Sequence, residues 1–125
     1  MRTIKFRAYR VNDTSWAFGD LVHLKNDAGF YEVYIQDDGV PLLVDPDSVG
    51  QFTGIRDKKG RGIYEGDIVR YRPNNKVYQV VFKDGIFWGE GENGCGCAAH
   101  FFPSCEIIGN VFDNTELIEK GGEHE

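Results

Sequence analysis

The dominant spacing of apolar positions along this chain is two. Ile4, Phe6 and Ala8 alternate with Lys5 and Arg7, and Tyr31, Val33 and Ile35 alternate with Glu32 and Tyr34. Strict alternation puts one set of side chains on one face of an extended chain, so both stretches are predicted strands. Val77–Phe82 and Ile107–Phe112 are short apolar-rich runs bounded by turn residues, which predicts two more. Between the runs lie turn signals: "NDAG" (26–29), "QDDG" (36–39), "DKKG" (57–60) and "RPNN" (72–75). "KDG" (83–85) separates Val80-Val81-Phe82 from Ile86-Phe87-Trp88, and Asp-Gly favours the positive backbone angles of a tight hairpin. Helix is predicted only as one turn near Asp45–Ser48 and another near Thr115–Lys120. The class is therefore all-β with minimal helix.

The spacing of "DIVRY", the "VVFKDGIFW" hairpin and the closing "EIIGNVF" suggests a small SH3-like β-barrel behind an N-terminal β-meander lobe. We expect the meander over 1–48, the barrel over 49–116 and an acidic tail over 117–125. A break is expected within Val44–Gly50, where Pro46 stiffens the chain. In the longest glycine-rich stretch, Gln51–Tyr71, Tyr64 and Ile68 are expected to be buried, Lys58 and Lys59 exposed, and Gly66 at positive φ. Ile4–Arg10 and Tyr31–Gln36 lack proline and are expected as sheet edges open to self-pairing.

Composition changes this picture little. With 125 residues, 41% of them hydrophobic, the chain has the makings of a core, and it has no apolar run long enough for a membrane span. A cytoplasmic protein of one domain or two small lobes is expected, its three cysteines reduced. Charge is more informative. The net charge of −6 disfavours indiscriminate phosphate-backbone binding. Gln51–Lys76 nevertheless carries seven basic residues against Asp57, Glu65 and Asp67, a local balance of +4. Arg56, Lys58, Lys59, Arg61, Arg70 and Arg72 are the candidate binding residues on this stripe.

The stretch "VGQFTGIRDKKGRGIYEGDIVRY" (Val49–Tyr71) resembles the signature of the YopX family of phage and prophage proteins. "IKFRAY" at Ile4–Tyr9, "VVFKDGIF" at Val80–Phe87 and "EIIGNVFDNTEL" at Glu106–Leu117 match further family landmarks in order. The resemblance covers nearly the whole chain. It implies a phage- or prophage-encoded, β-rich protein in the host bacterial cytoplasm, self-associating and without an established activity. No catalytic residue carries over from it. The segment Gly89–Cys105, "GEGENGCGCAAHFFPSC", departs from the family pattern.

That departure holds Cys95, Cys97, His100 and Cys105, the ligand types of a structural zinc site, although C-x-C is a poor zinc spacing. The competing reading is a hairpin tip with small cysteines in place of Ser or Ala. On it, no cofactor is bound and a double change Cys95→Ser, Cys97→Ser leaves thermal stability nearly unaltered. Asp45/Asp47 and Asp37/Asp38 sit in turns where Asp bonds the local backbone. Ser15, His23 and Asp20 lack the context of a triad, and "GIRDKKGRG" lacks the G-K-[ST] ending of a phosphate loop. The expected function is that of a non-catalytic accessory protein binding an unknown host or phage protein and further copies of itself. The alternative is a nucleic-acid-binding module using the basic stripe, and a zinc-dependent protein is the more remote one.

Overall fold

The computed structural model describes residues 2–13 and 15–114, which form two compact units, Met1–Phe52 and Thr53–Glu125. In the first, strands β1 (Phe6–Tyr9), β2 (Trp16–Lys25), β3 (Tyr31–Gln36) and β4 (Leu42–Leu43) follow one another as an antiparallel meander. The start of β5 (Gly50–Arg56) pairs with the free side of β1 through Phe6 opposite Gln51. Alternation holds in part: Ala8, Ala17, Ile35 and Val44 are buried, with Phe6, Leu21, Val33 and Leu42 packed against them. The outer ends Ile4 and Tyr31 are exposed, and Arg7, expected on the solvent face, is buried with its guanidinium over the Trp16 ring. The helical turn predicted near Asp45–Ser48 is a 3-10 turn, Pro46–Ser48, in which Asp45 accepts a hydrogen bond from the Asp47 amide at 3.0 Å. Ser48 ties that turn to the meander by accepting from the Tyr9 amide at 2.8 Å.

The second unit is an antiparallel sheet in the order β10-β9-β8-β7-β11, built from β7 (Asp67–Tyr71), β8 (Lys76–Lys83), β9 (Ile86–Glu90), β10 (Gly96–Ala98) and β11 (Cys105–Asn110). The end of β5 and β6 (Gly62–Tyr64) form a hairpin beside it in sequence. Asp84 and Gly85 have φ of 53° and 83°, the pair of positive angles that a tight hairpin needs. The core comprises Ile63, Val69, Tyr78, Val80, Cys97, Phe102 and Cys105. Phe102 comes from a 3-10 segment, Ala99–Ser104, that connects β10 to β11 and that hydrophobic periodicity did not reveal.

Two expectations are corrected here. The sheet does not close into an SH3-like barrel, because β10 and β11 remain its edges. The physical reason is that the outer side of β11 is satisfied by a loop, Asp57–Arg61, rather than by another strand. Next, neither Ile4–Arg10 nor Tyr31–Gln36 is an edge: β1 lies between β2 and β5, and β3 between β2 and β4. The short strand β4 and the return of β5 cover the sides that were expected to be open. The two units divide inside β5, just past the Pro46 segment. The predicted turn near Thr115–Lys120 and the 117–125 tail lie outside the described residues. Among the described residues no helix is long and apolar enough to cross a membrane.

Candidate functional site

The glycine-rich stretch resolves into two backbone devices. In the first, Asp57 is fully buried at its side chain and acts as a hub. Its Oδ1 accepts from the Lys59 and Arg61 amides, both at 2.9 Å, which winds the DKKG turn. Its Oδ2 accepts from Arg61 Nε and Nη2 and, across fifty positions of sequence, from the Ile107 amide at 3.0 Å. Arg61 Nη2 also donates to the Ile107 carbonyl at 2.8 Å, and the Lys58 amide donates to the Cys105 carbonyl at 2.8 Å. The turn thus supplies β11 with the partners a neighbouring strand would have given, and so caps its edge. Burial pushes the Asp57 carboxyl up. The hydrogen bonds from the Ile107 and Arg61 amides and from the Arg61 guanidinium outweigh it and hold its pKa below the ordinary aspartate value.

In the second device, Gly66 stands at φ 94° between Tyr64 and Asp67. Buried Asp67 accepts from the Tyr64 amide at 2.7 Å. The Gly66 amide donates to the Val80 carbonyl while its own carbonyl accepts from Val111, so this one residue joins β8 to the end of β11. Tyr64 and Ile68 are buried and Lys58 and Lys59 exposed, as the sequence predicts. We expect Gly66→Val to lower stability by roughly 1–3 kcal/mol, since a β-branched residue is strained at this angle. Urea unfolding monitored by Trp88 fluorescence checks it, and an unchanged midpoint refutes it.

The six basic candidates divide accordingly. Arg61 belongs to the cap, and Arg56 donates from Nη1 to the Gly60 carbonyl within the same turn at 3.1 Å. Lys58 is exposed on the turn. Lys59, Arg70 and Arg72 gather around Glu106 of β11, a residue the sequence reading did not single out. Arg70 stands directly opposite Glu106 in register, Lys59 Nζ lies 3.7 Å from Oε1, and Arg72 Nη2 lies 3.5 Å from Oε2. An isolated glutamate in an apolar strand carries no local signal, so only the β7–β11 pairing reveals it.

The cysteine segment does not assemble as the zinc reading requires. Cys95 and His100 are exposed, His100 lying against the Phe101 ring at 4.1 Å between centroids. Cys97 and Cys105 are in the apolar core. Burial pushes both thiols up, that of Cys105 to about 12, with Cys97 and Asp57 nearby adding to it. Among the described residues no three His, Cys, Asp or Glu side chains converge to hold a metal. Nor is "GCGC" simply a tip of interchangeable small residues: Cys97 packs against Gly89, and a Cβ on Gly96 would come within 1.7 Å of the Trp88 ring. The expectation that a Cys95→Ser, Cys97→Ser pair is silent is therefore revised. Cys97→Ser should cost about 1–2 kcal/mol by placing a hydroxyl in an apolar core, and Cys95→Ser close to nothing. Thermal melts of the two single variants separate them.

An open groove of about 450 Å³ lies beside this segment, with Ile86, Trp88, Cys95 and the Lys83–Glu90 ion pair among its lining. The end of the β8–β9 hairpin above it is apolar on both faces. Phe82 (51% exposed) meets Phe87 edge-on at 4.9 Å, and Ile86 (57% exposed) stands opposite Lys83.

Compared with known proteins, residues 5–119 match the family model described as YopX protein. Solved structures that share the fold include two bacterial proteins. Protein EF1440 from Enterococcus faecalis is 22% identical with a TM-score of 0.61, covering 94% of this chain and 99% of that one. Protein yopX from Bacillus subtilis is 19% identical with a TM-score of 0.56, covering 94% and 97%. No curated protein sequence matches the chain.

Proposed function

Since this chain belongs to the YopX family, we propose that it is a non-catalytic phage or prophage accessory protein, a β module that binds other proteins and further copies of itself in the host cytoplasm. The observation that carries this reading is the apolar end of the β8–β9 hairpin, where Phe82 and Ile86 are more than half exposed. Large apolar side chains left in water on both faces of one hairpin suit burial against a partner. The site chemistry points the same way: the Asp57 and Asp67 carboxylates are engaged by backbone donors, and the Cys97 and Cys105 thiols are buried in the protonated form.

Two measurements test it. Sedimentation velocity at concentrations on the order of tens of micromolar should show an oligomer, and Phe82→Ser with Ile86→Ser should dissociate it. Affinity capture from infected cells should retain a protein on the wild-type chain and lose it on the same double variant. A monomer that captures the same proteins with or without the two substitutions overturns the reading.

A further inference from the structure

The cluster around Glu106 is over-supplied with positive charge. Arg70 lies on β7 directly opposite Glu106 of β11, and Arg72, the first residue of the turn that follows β7, brings its Nη2 to 3.5 Å from Glu106 Oε2. Lys59 reaches it from the edge-capping turn, so two cations from separate segments pair with one carboxylate that a third, Arg70, stands opposite in the sheet. The contacts of 3.5 and 3.7 Å are long beside the ~2.7–2.9 Å of a close charge-assisted hydrogen bond. Lys59 and Arg72 are also more than half exposed and keep donors for another acceptor. Arg70 adds one more, because its Nε is buried without a hydrogen-bond partner among the described residues. An unsatisfied buried donor next to two under-used cations is what a site with a vacant acceptor position presents.

The geometry points to a carboxylate-binding site formed by Lys59, Arg70 and Arg72, in which Glu106 is the resident carboxylate and the ligand is an acidic segment of a partner protein. It rests on the protein-binding reading for the nature of that ligand. Glu106 shows the chemistry directly, since its two oxygens divide between Lys59 and Arg72 as an incoming carboxylate's would. A nucleic-acid strand fits less well. The chain's net charge of −6 opposes a run of phosphates, whereas a few carboxylates need only the local excess. Single strands also need aromatic rings to stack on, and the residues paired with Arg70 in the sheet are Val77 and Glu106.

The test uses the whole chain, a synthetic hexaglutamate peptide and a twelve-residue oligothymidylate, titrated at low salt by calorimetry. Glu106→Gln removes the resident charge and should tighten peptide binding by about fivefold, with Arg72→Gln and Lys59→Gln in that background each weakening it by a similar factor. Lys59 and Arg72 lie at the surface and Glu106 is one-fifth exposed, and matched melting curves confirm that each variant folds. The proposal is overturned by three results: no peptide binding to the Glu106→Gln chain, affinity indifferent to Lys59 and Arg72, or tighter binding of the oligothymidylate with the same residue dependence. Any of these, with oligomerisation still dependent on Phe82 and Ile86, removes this site and leaves the protein-binding reading standing.

Discussion

Replacing Asp57 by Ala should destabilise the protein by about 2–4 kcal/mol, because it removes a buried carboxylate and leaves the Lys59, Arg61 and Ile107 amides without their acceptor, while its half-exposed partner Arg61 can still reach water. The carboxylate accepts from the Lys59, Arg61 and Ile107 amides and from the Arg61 side chain, and none of these donors has a substitute in the turn. The loss is also an architectural one. Without the hub the DKKG turn no longer seats on β11, and the Cys105 and Ile107 backbone groups become an open strand edge. Asp57→Ala should therefore show a lower denaturation midpoint and, in light scattering, concentration-dependent aggregation. A variant that melts like the wild type and remains unaggregated would refute the capping role.

The same residue gives a signed pH dependence. Its folded pKa lies below the unfolded value, so the unfolded chain binds the proton more readily. The stabilisation is then fully present above the unfolded value of about 4 and is lost as pH falls through the lower folded value. Asp57→Asn should flatten that part of the acid limb.

Truncating Phe102 to Ala should cost about 3–5 kcal/mol, the usual range for a fully buried phenylalanine. Phe102 has no solvent exposure and packs in one cluster with Ile63, Val69, Tyr78, Val80, Cys97 and Cys105. Its neighbour Phe101 is exposed and meets Tyr71 edge-on at 5.5 Å, so Phe101→Ala should cost much less. The pair makes an internal control measured by urea unfolding: equal losses would mean that the 3-10 segment is not anchored as described.

The strands at Phe6–Tyr9, Tyr31–Gln36, Asp67–Tyr71, Lys76–Lys83, Ile86–Glu90 and Cys105–Asn110 were legible in the sequence because they depend on neighbours, whereas the longest strand, Trp16–Lys25, was not predicted. Alternation at Ile4–Ala8 and Tyr31–Ile35, Asp-Gly at 84–85, and Pro46 with Asp45 before it each act within a few residues. Family membership was legible as well, from the length of the Val49–Tyr71 motif. What lies beyond is set by contacts between distant positions. Asp57 reads locally as a turn aspartate, which it is, yet its second oxygen serves Ile107, and only the fold brings that amide within 3.0 Å. Glu106 becomes part of a site only when β11 lies beside β7, a pairing that skips three intervening strands. Cys97 and Phe102 sit in a segment without periodicity, where direction toward the core is decided by Trp88 covering Gly96 and by the 3-10 turn. Edge status, too, depends on which strand arrives alongside, and so β1 and β3 proved to be interior. Local backbone preference, acting over a few residues, settled the sequence of elements. Long-range hydrogen bonding and packing settled which edges are closed, which charges meet and which small residues are buried.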